Sequence, residues 1–174
     1  MIHPVTRPAT AADIPAITAI YAHAVKHGTA TFEIDPPSEQ EIADRFRALA
    51  EAGFPYLVAE AGGEVRGCAY AGPYRARIAY RYTLENSVYV APDWHRQGIG
   101  RALMEELLSE ACARGFRQMI AVIGDSGQVA SIALHRAAGF QMVGTFVAVG
   151  FKFGRWLDTV LMQCPLGPGA ATLP

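Results

Sequence analysis

The sequence predicts a single α/β domain, a mixed central sheet flanked by about four helices. Three observations carry that prediction. The chain has 174 residues, 51% hydrophobic and 18% charged, which suffices for one substantial core and is short for two. Its hydrophobic period switches repeatedly between helical spacing and strict alternation, with no internal repeat. The periods follow one another in the order β-α-α-β-β-β-α-β-α-β-β, which combines hairpins with strand-helix-strand crossovers.

Ile2 to Pro8 reads as a first strand, and Thr10 as the cap of a helix whose stripe is Ile14, Ile17, Ile20, Tyr21 and Ala24. Pro15 falls early enough in that helix to be tolerated. The connection after Gly28 carries Phe32, either a lid over a ligand or a plug for the core. Ser38-Glu39-Gln40-Glu41 is a capping box that opens a second helix to about Ala52. From Tyr56 the period becomes two, and Gly62-Gly63 folds Tyr56–Ala61 onto Val65–Ala71 as a hairpin. A loop at Pro73–Arg77 leads into the strand ending Asn86-Ser87-Val88-Tyr89-Val90. The following helix buries Ala102, Leu103, Leu107 and Ala111 and stops at Arg114-Gly115. Met119–Ile123 is a buried strand, and Gln128 to Ala138 is a helix ended by Gly139. Strands at Phe140–Val149 and Leu157–Gln163 close the domain, which is expected to span residues 1–164. Pro165 to Pro174, rich in Gly, Ala and Pro, reads as a flexible tail.

Net charge is −1, which leaves no field to attract nucleic acid or an anionic membrane, so any anion site must be local. Cys68, Cys112 and Cys164 are odd in number and widely spaced, as expected of reduced thiols in a cytoplasmic protein. No metal site is expected from them. Met1-Ile2-His3-Pro4 lacks the charged and apolar regions of a signal peptide, and no run approaches the roughly 18 apolar residues of a membrane span.

The stretch with chemistry is Leu84 to Leu108, a strand stopped by Ala91-Pro92-Asp93, then a glycine turn, then a helix. In Arg96-Gln97-Gly98-Ile99-Gly100-Arg101, two glycines permit close backbone approach beside the positive end of a helix and two guanidinium groups. Such a loop holds phosphate. A Walker loop would need Lys-Ser/Thr after its last glycine, and Arg101-Ala102 stands there. A dinucleotide fingerprint would need a third glycine, and Leu103 follows instead. The frame His95-Arg96-Gln97-Gly98-Ile99-Gly100 resembles motif A of the GNAT N-acetyltransferases, R/Q-x-x-G-x-G/A, with His95 in place of Arg or Gln.

That resemblance implies the GNAT fold, with a splayed strand pair in the sheet and acetyl-CoA as co-substrate. Its pyrophosphate would lie on the amides of His95, Arg96, Gln97, Gly98, Ile99, Gly100 and Arg101, and its amide-bearing arm on the backbone of Val88, Tyr89 and Val90. Three further stretches, Thr83–Val90, Ala130–Phe140 and Val149–Asp158, resemble the phosphinothricin and methionine sulfoximine or sulfone acetyltransferases. The resemblance implies Glu85 and His135 as the catalytic pair, either bonded directly or with His135 protonating the leaving thiolate. It implies an acceptor site of Phe32, Arg75, Ala76, Arg77, Tyr80, Glu85, Asn86, Ser87 and Gly124, with Gln128 and Ser131 touching the cofactor. Gln128 replaces the usual Asn, one methylene shorter.

On the residues alone, Glu85 is a carboxylate in an apolar strand that needs water, an ion pair with Arg75, Arg77 or Arg81, or a task. His135, taken alone beside Leu134 on a helix, reads as a packed or surface residue ahead of a catalyst. The paired Arg75 and Arg77 favour a compact anionic ligand, here a small amino-acid-like amine. For an α-amine of pKa near 8, deprotonation at pH 7 costs about 1.4 kcal/mol, against about 4.6 for a lysine. A weak base such as Glu85 suits the first. Alternatives are an acetyltransferase for peptide or protein amines and a non-catalytic acyl-CoA-binding module. Gly150 and Gly154 imply close backbone approach, while Phe151, Phe153 and Trp156 need cover, for which the resemblance implies a homodimer.

Overall fold

A computed structural model describes residues 4–174, and Ile2 and His3 of the expected first strand lie outside the described residues. The elements are β1 (Val5–Pro8), α1 (Ile14–His27), α2 (Glu39–Glu51), β2 (Tyr56–Ala61), β3 (Glu64–Pro73), β4 (Thr83–Val90), α3 (Ile99–Ala113), β5 (Gln118–Gly124), α4 (Val129–Ala137), β6 (Gln141–Lys152) and β7 (Arg155–Pro165). The expected order of strands and helices is present throughout. The strands form one sheet in the order β1-β2-β3-β4-β5-β7-β6. Neighbours run antiparallel except β4 and β5, which the α3 crossover makes parallel.

Local chemistry accounts for the ends. Thr10 donates both its N–H (2.7 Å) and its hydroxyl (3.0 Å) to Asp13, closing a 3-10 turn at Ala11–Asp13 before α1 begins. Arg7 grips the same carboxylate at 2.7 and 2.8 Å and holds its pKa down to about 2. At α2, Ser38 accepts from the Glu41 N–H at 3.2 Å, but the Glu41 side chain pairs with Arg45 instead of completing the box.

Two cores lie on opposite faces of the sheet. Leu103, Met104 and Leu107 of α3 pack on Leu57, Leu84, Met119 and Met162, while α1 and α2 bring Ile17, Tyr21, Val25 and Ile42 onto Val58 and Cys68. Leu103 and Leu107 are wholly buried, so truncating either to Ala would cost about 2–5 kcal/mol. Alternation splits β4 between these faces: Leu84, Val88 and Val90 turn to the α3 core, and Tyr89 to the α1–α2 core.

Two features differ from expectation. The segment 165–174 is not a free overhang: Leu166 is buried, its N–H bonds Arg117 O at 3.0 Å, and the Arg117 guanidinium reaches Thr172 Oγ1 at 3.0 Å and Leu173 O at 3.1 Å. Leu166 gives the chain end an apolar anchor that its Gly/Pro-rich composition conceals. The last hairpin is also longer than expected because β6 bulges: residues 147–149 stand opposite Asp158 alone, with Ala148 at φ 55° and its N–H bonded to Asp158 Oδ1 at 3.0 Å.

Candidate active site

Pairing between β4 and β5 stops at Asn86↔Ala121, although β4 continues to Val90 and β5 to Gly124. Beyond that point the strands part. The Ala91 N–H donates to Arg66 O at 2.8 Å, so alternate residues Tyr89, Ser87 and Glu85 direct their peptide groups to β3. Val88 and Val90 therefore direct theirs into the gap. The gap is narrow, about 50 Å³, and is lined by Ala30, Asn86, Ser87, Val88, Tyr89, Val122, Ile123, Ser131 and His135.

At the end of β4 the chain turns through Arg96 (φ 60°) and Gly98 (φ 86°) into α3. Gly98 caps the helix in the left-handed conformation, and the first intrahelical bond runs from the Ala102 N–H to Gly98 O at 3.0 Å. The amides of Ile99, Gly100 and Arg101 precede it and have no partner within the helix, which makes the turn an anion cradle. His95 is not part of that cradle through its ring: Nε2–H donates to Val90 O at 3.1 Å and caps the strand. Gln97 Nε2 is bound to Asp93 O at 2.9 Å, and Arg101 pairs with Glu105 at 2.7 Å while Arg96 is exposed.

His135 is buried, and both ring nitrogens are engaged. Nδ1 lies 2.8 Å from Ser131 O, a carbonyl that only accepts, so Nδ1 carries the hydrogen. In the neutral ring Nε2 is then an acceptor, and it receives the Asn86 Nδ2–H at 2.9 Å. Burial lowers the His135 pKa and favours this neutral form. Asn86 Oδ1 is left buried in the gap without a partner among the described residues, which calls for a ligand donor there.

Glu85 is the preceding residue and stands on the other face of β4. A directly bonded Glu85–His135 pair is therefore not formed; Asn86 holds that place, because alternation carries the two side chains apart. Nor does Glu85 form a salt bridge with Arg75, Arg77 or Arg81 among the described residues. Half-buried and unpaired, its carboxyl is pushed above the ordinary range by desolvation. Ser87, on the same face, stands opposite Tyr70 in the β3–β4 ladder.

The loop before β4 leaves Arg75, Ala76 and Arg77 exposed, with the Arg75 guanidinium 5.2 Å from the Tyr74 ring and 5.9 Å from Tyr80. Phe32 belongs to neither core cluster. It is half-buried with its ring seated against Gly124 and Gly150. Gln128 spends its amide N–H on Thr29 Oγ1 at 2.9 Å, and so ties α4 to the α1–α2 connection. A larger apolar cavity, about 320 Å³, lies between α1, α2 and the sheet and borders β4 at Tyr89.

The acetyltransferase (GNAT) family model matches residues 17–140, most of the chain and all of the gap, cradle and imidazole. The chain belongs to the GNAT acetyltransferase family. It is 56% identical over 162 residues to phosphinothricin N-acetyltransferase of Alcaligenes faecalis, covering 93% of this chain and 82% of that one. It is 44% identical over 163 residues to L-methionine sulfoximine/L-methionine sulfone acetyltransferase of Pseudomonas aeruginosa, with 93% and 94% covered. A crystal structure of a phosphinothricin acetyltransferase from Sinorhizobium meliloti in complex with AcCoA superposes with a TM-score of 0.96 at 51% identity, over 98% of this chain and 92% of that one.

Within this GNAT domain the structure adds residues whose part the sequence left open. Asp125 accepts from Thr29 at 2.9 Å and from Arg155 at 2.7 Å, and its pKa is lowered first by the Gly127 N–H and then by these partners. Lys152 is buried against the α1–α2 connection. The signal for both lay in charged residues flanked by glycines and aromatics, which marked close packing but not its target.

Proposed function

We propose that this chain transfers the acetyl group of acetyl-CoA to the α-amino group of a small polar amino-acid analogue of the phosphinothricin, methionine sulfoximine or methionine sulfone type. The observation that carries the reading is the opened β4–β5 seam, where the Val88 peptide group and the Val90 N–H face the gap and lead directly to the amide cradle at Gly98–Arg101. A long amide-bearing arm with a diphosphate at one end fits that sequence of donors and acceptors. Acetyl-CoA supplies the activated acyl group, and the remaining chemistry falls to side chains at the far end of the gap.

Arg75 and Arg77, uncommitted to any carboxylate among the described residues, receive the acidic head of the acceptor. Glu85, its basicity raised by burial, takes the proton of the α-ammonium, directly or through water. The amine lone pair then forms the C–N bond as the C–S bond breaks, with the Val88 N–H holding the carbonyl oxygen, and the second proton that the nitrogen sheds goes to the departing thiolate. Resting His135 has no proton on Nε2 to give, so its first duty is to fix Asn86. It can protonate the departing thiolate only after gaining a proton and releasing the Asn86 amide. Orienting both reactants in one slot supplies much of the rate.

The chain acts as a homodimer in this reading. Val143, Phe146, Val147, Val149, Phe151 and Trp156 are each more than half exposed on the edge hairpin, an unusual apolar surface for an unpartnered strand. Three free cysteines support a reducing, cytoplasmic setting. The test is to incubate purified protein with acetyl-CoA and a panel of such amines, peptides and proteins, and to measure free thiol. Release with the amino-acid analogues is expected; release only with peptides, or binding of acetyl-CoA without turnover, would overturn the reading.

A further inference from the structure

Lys152, at the end of β6, is only 3% exposed, and its Nζ donates to Gly28 O at 2.9 Å and Thr31 O at 2.8 Å. Those carbonyls bracket the first turn of the α1–α2 connection. An ammonium has three N–H groups and no lone pair, and two of the three are committed to this loop. Lys152 is therefore not a base in this state. A buried cation held by neutral carbonyls is costly to keep, and its geometry fixes a segment rather than a charge.

The same segment is fastened at two further points. Thr29 donates to Asp125 at 2.9 Å and accepts from Gln128 at 2.9 Å. Phe32 occupies a notch that exists because two residues lack Cβ: a methyl at Gly124 would stand 2.7 Å from the ring, and one at Gly150 would overlap it. Gly150 is two residues from Lys152 on the bulged strand, so notch and ammonium come from one hairpin. Between these fixings, Ala30 lines the β4–β5 gap together with Asn86, Ser87 and His135, at the end away from the phosphate cradle, where the amine meets the acyl group.

We propose that Lys152 is a positioning residue: from the β6–β7 hairpin it locks residues 28–32 against the gap and thereby sets the affinity for the amine acceptor, not for acetyl-CoA. The proposal rests on the acetyl-transfer reading above. Its test is Lys152→Met, which keeps the length of the side chain and removes its donors, followed by steady-state kinetics and amide hydrogen exchange. Acceptor KM should rise about tenfold or more while kcat and the KM for acetyl-CoA stay within about twofold, and amides at 28–33 should exchange at least about tenfold faster. Unchanged acceptor KM and exchange, or a loss confined to kcat, would overturn it. Should Lys152→Met fail to fold, Gly150→Ala carries the test, since its backbone angles suit alanine and only the Phe32 seat is lost. A wild-type acceptor KM in that variant would equally overturn the proposal. If the wild-type protein acetylates no amine, the acetyl-transfer reading fails, and faster loop exchange in Lys152→Met alone decides the latch.

Discussion

Replacing Asn86 with Asp exchanges one atom and inverts the hydrogen-bond logic around His135. In the native arrangement Nδ1–H is fixed by Ser131 O, so Nε2 must accept, and the Asn86 amide donates to it at 2.9 Å. An aspartate at this position has only oxygens to offer, and two lone pairs would face each other unless Nε2 is protonated. The variant should therefore hold an imidazolium–carboxylate pair near neutral pH, where the native ring is neutral. Asn86→Leu removes the donor without a substitute and leaves buried Nε2 unpaired, at a cost of about 1–3 kcal/mol. For a chain of this size that lowers Tm by about 2–12 °C. Nitrogen-15 chemical shifts of the ring, read against pH, distinguish the states. The native ring should titrate below 6.5, and because the unfolded chain then binds the proton more readily, its stabilising effect is lost as pH falls from 6.5 toward the depressed value. A native ring that is doubly protonated at pH 7, or protonated on Nε2 with Nδ1 bare, would refute the reasoning.

Glu85→Gln should lower kcat/KM at pH 7 by about 10²–10⁴, with activity recovering as pH rises toward the pKa of the amine, measured by thiol release across pH. In the wild type the acidic limb should fall at a pH above the ordinary carboxylate value of 4.5, because burial raises the Glu85 pKa and protonation removes the base. Gly98→Val should weaken acetyl-CoA binding by at least about tenfold in calorimetry, since φ 86° is strained for a β-branched residue and relieving that strain moves the amides that form the cradle. Arg75→Ala and Arg77→Ala should each raise the KM of an acidic acceptor about tenfold or more while leaving the KM of acetyl-CoA near its starting value.

What the sequence disclosed was chiefly local. Alternation from Asn86 to Val90, the stop at Pro92 and the glycine turn at Gly98 place a strand, a loop and a helix start within a residue or two of where they stand. Gly62-Gly63 and Ser38 mark their hairpin and helix for similarly local reasons. The gap between β4 and β5 came from resemblance, because strand separation is a property of two segments thirty-five residues apart and neither one records it. The partner of His135 stayed open between two alternatives for the same reason. Alternation says that Glu85 and Asn86 face opposite ways, but only packing decides which face α4 covers. The side chains of His95 and Gln128 are drawn to nearby acceptors, Val90 O and Thr29 Oγ1, which nothing in their local sequence foretells. Leu166 escaped notice because a single apolar residue among Gly and Pro has no period to reveal it.

A sheet that is unzipped along part of one seam is two half-sheets sharing a hinge. Here the shared length is Thr83↔Gln118 through Asn86↔Ala121, and α3 lies across the join on one side only. A guest threaded between Val88 and the end of β5 would act as the absent strand segment, mending the ladder on the side where protein supplies nothing. Occupancy should then register far from the guest itself, as slower amide exchange in both β4 and β5, and the molecule should be at its most rigid when loaded.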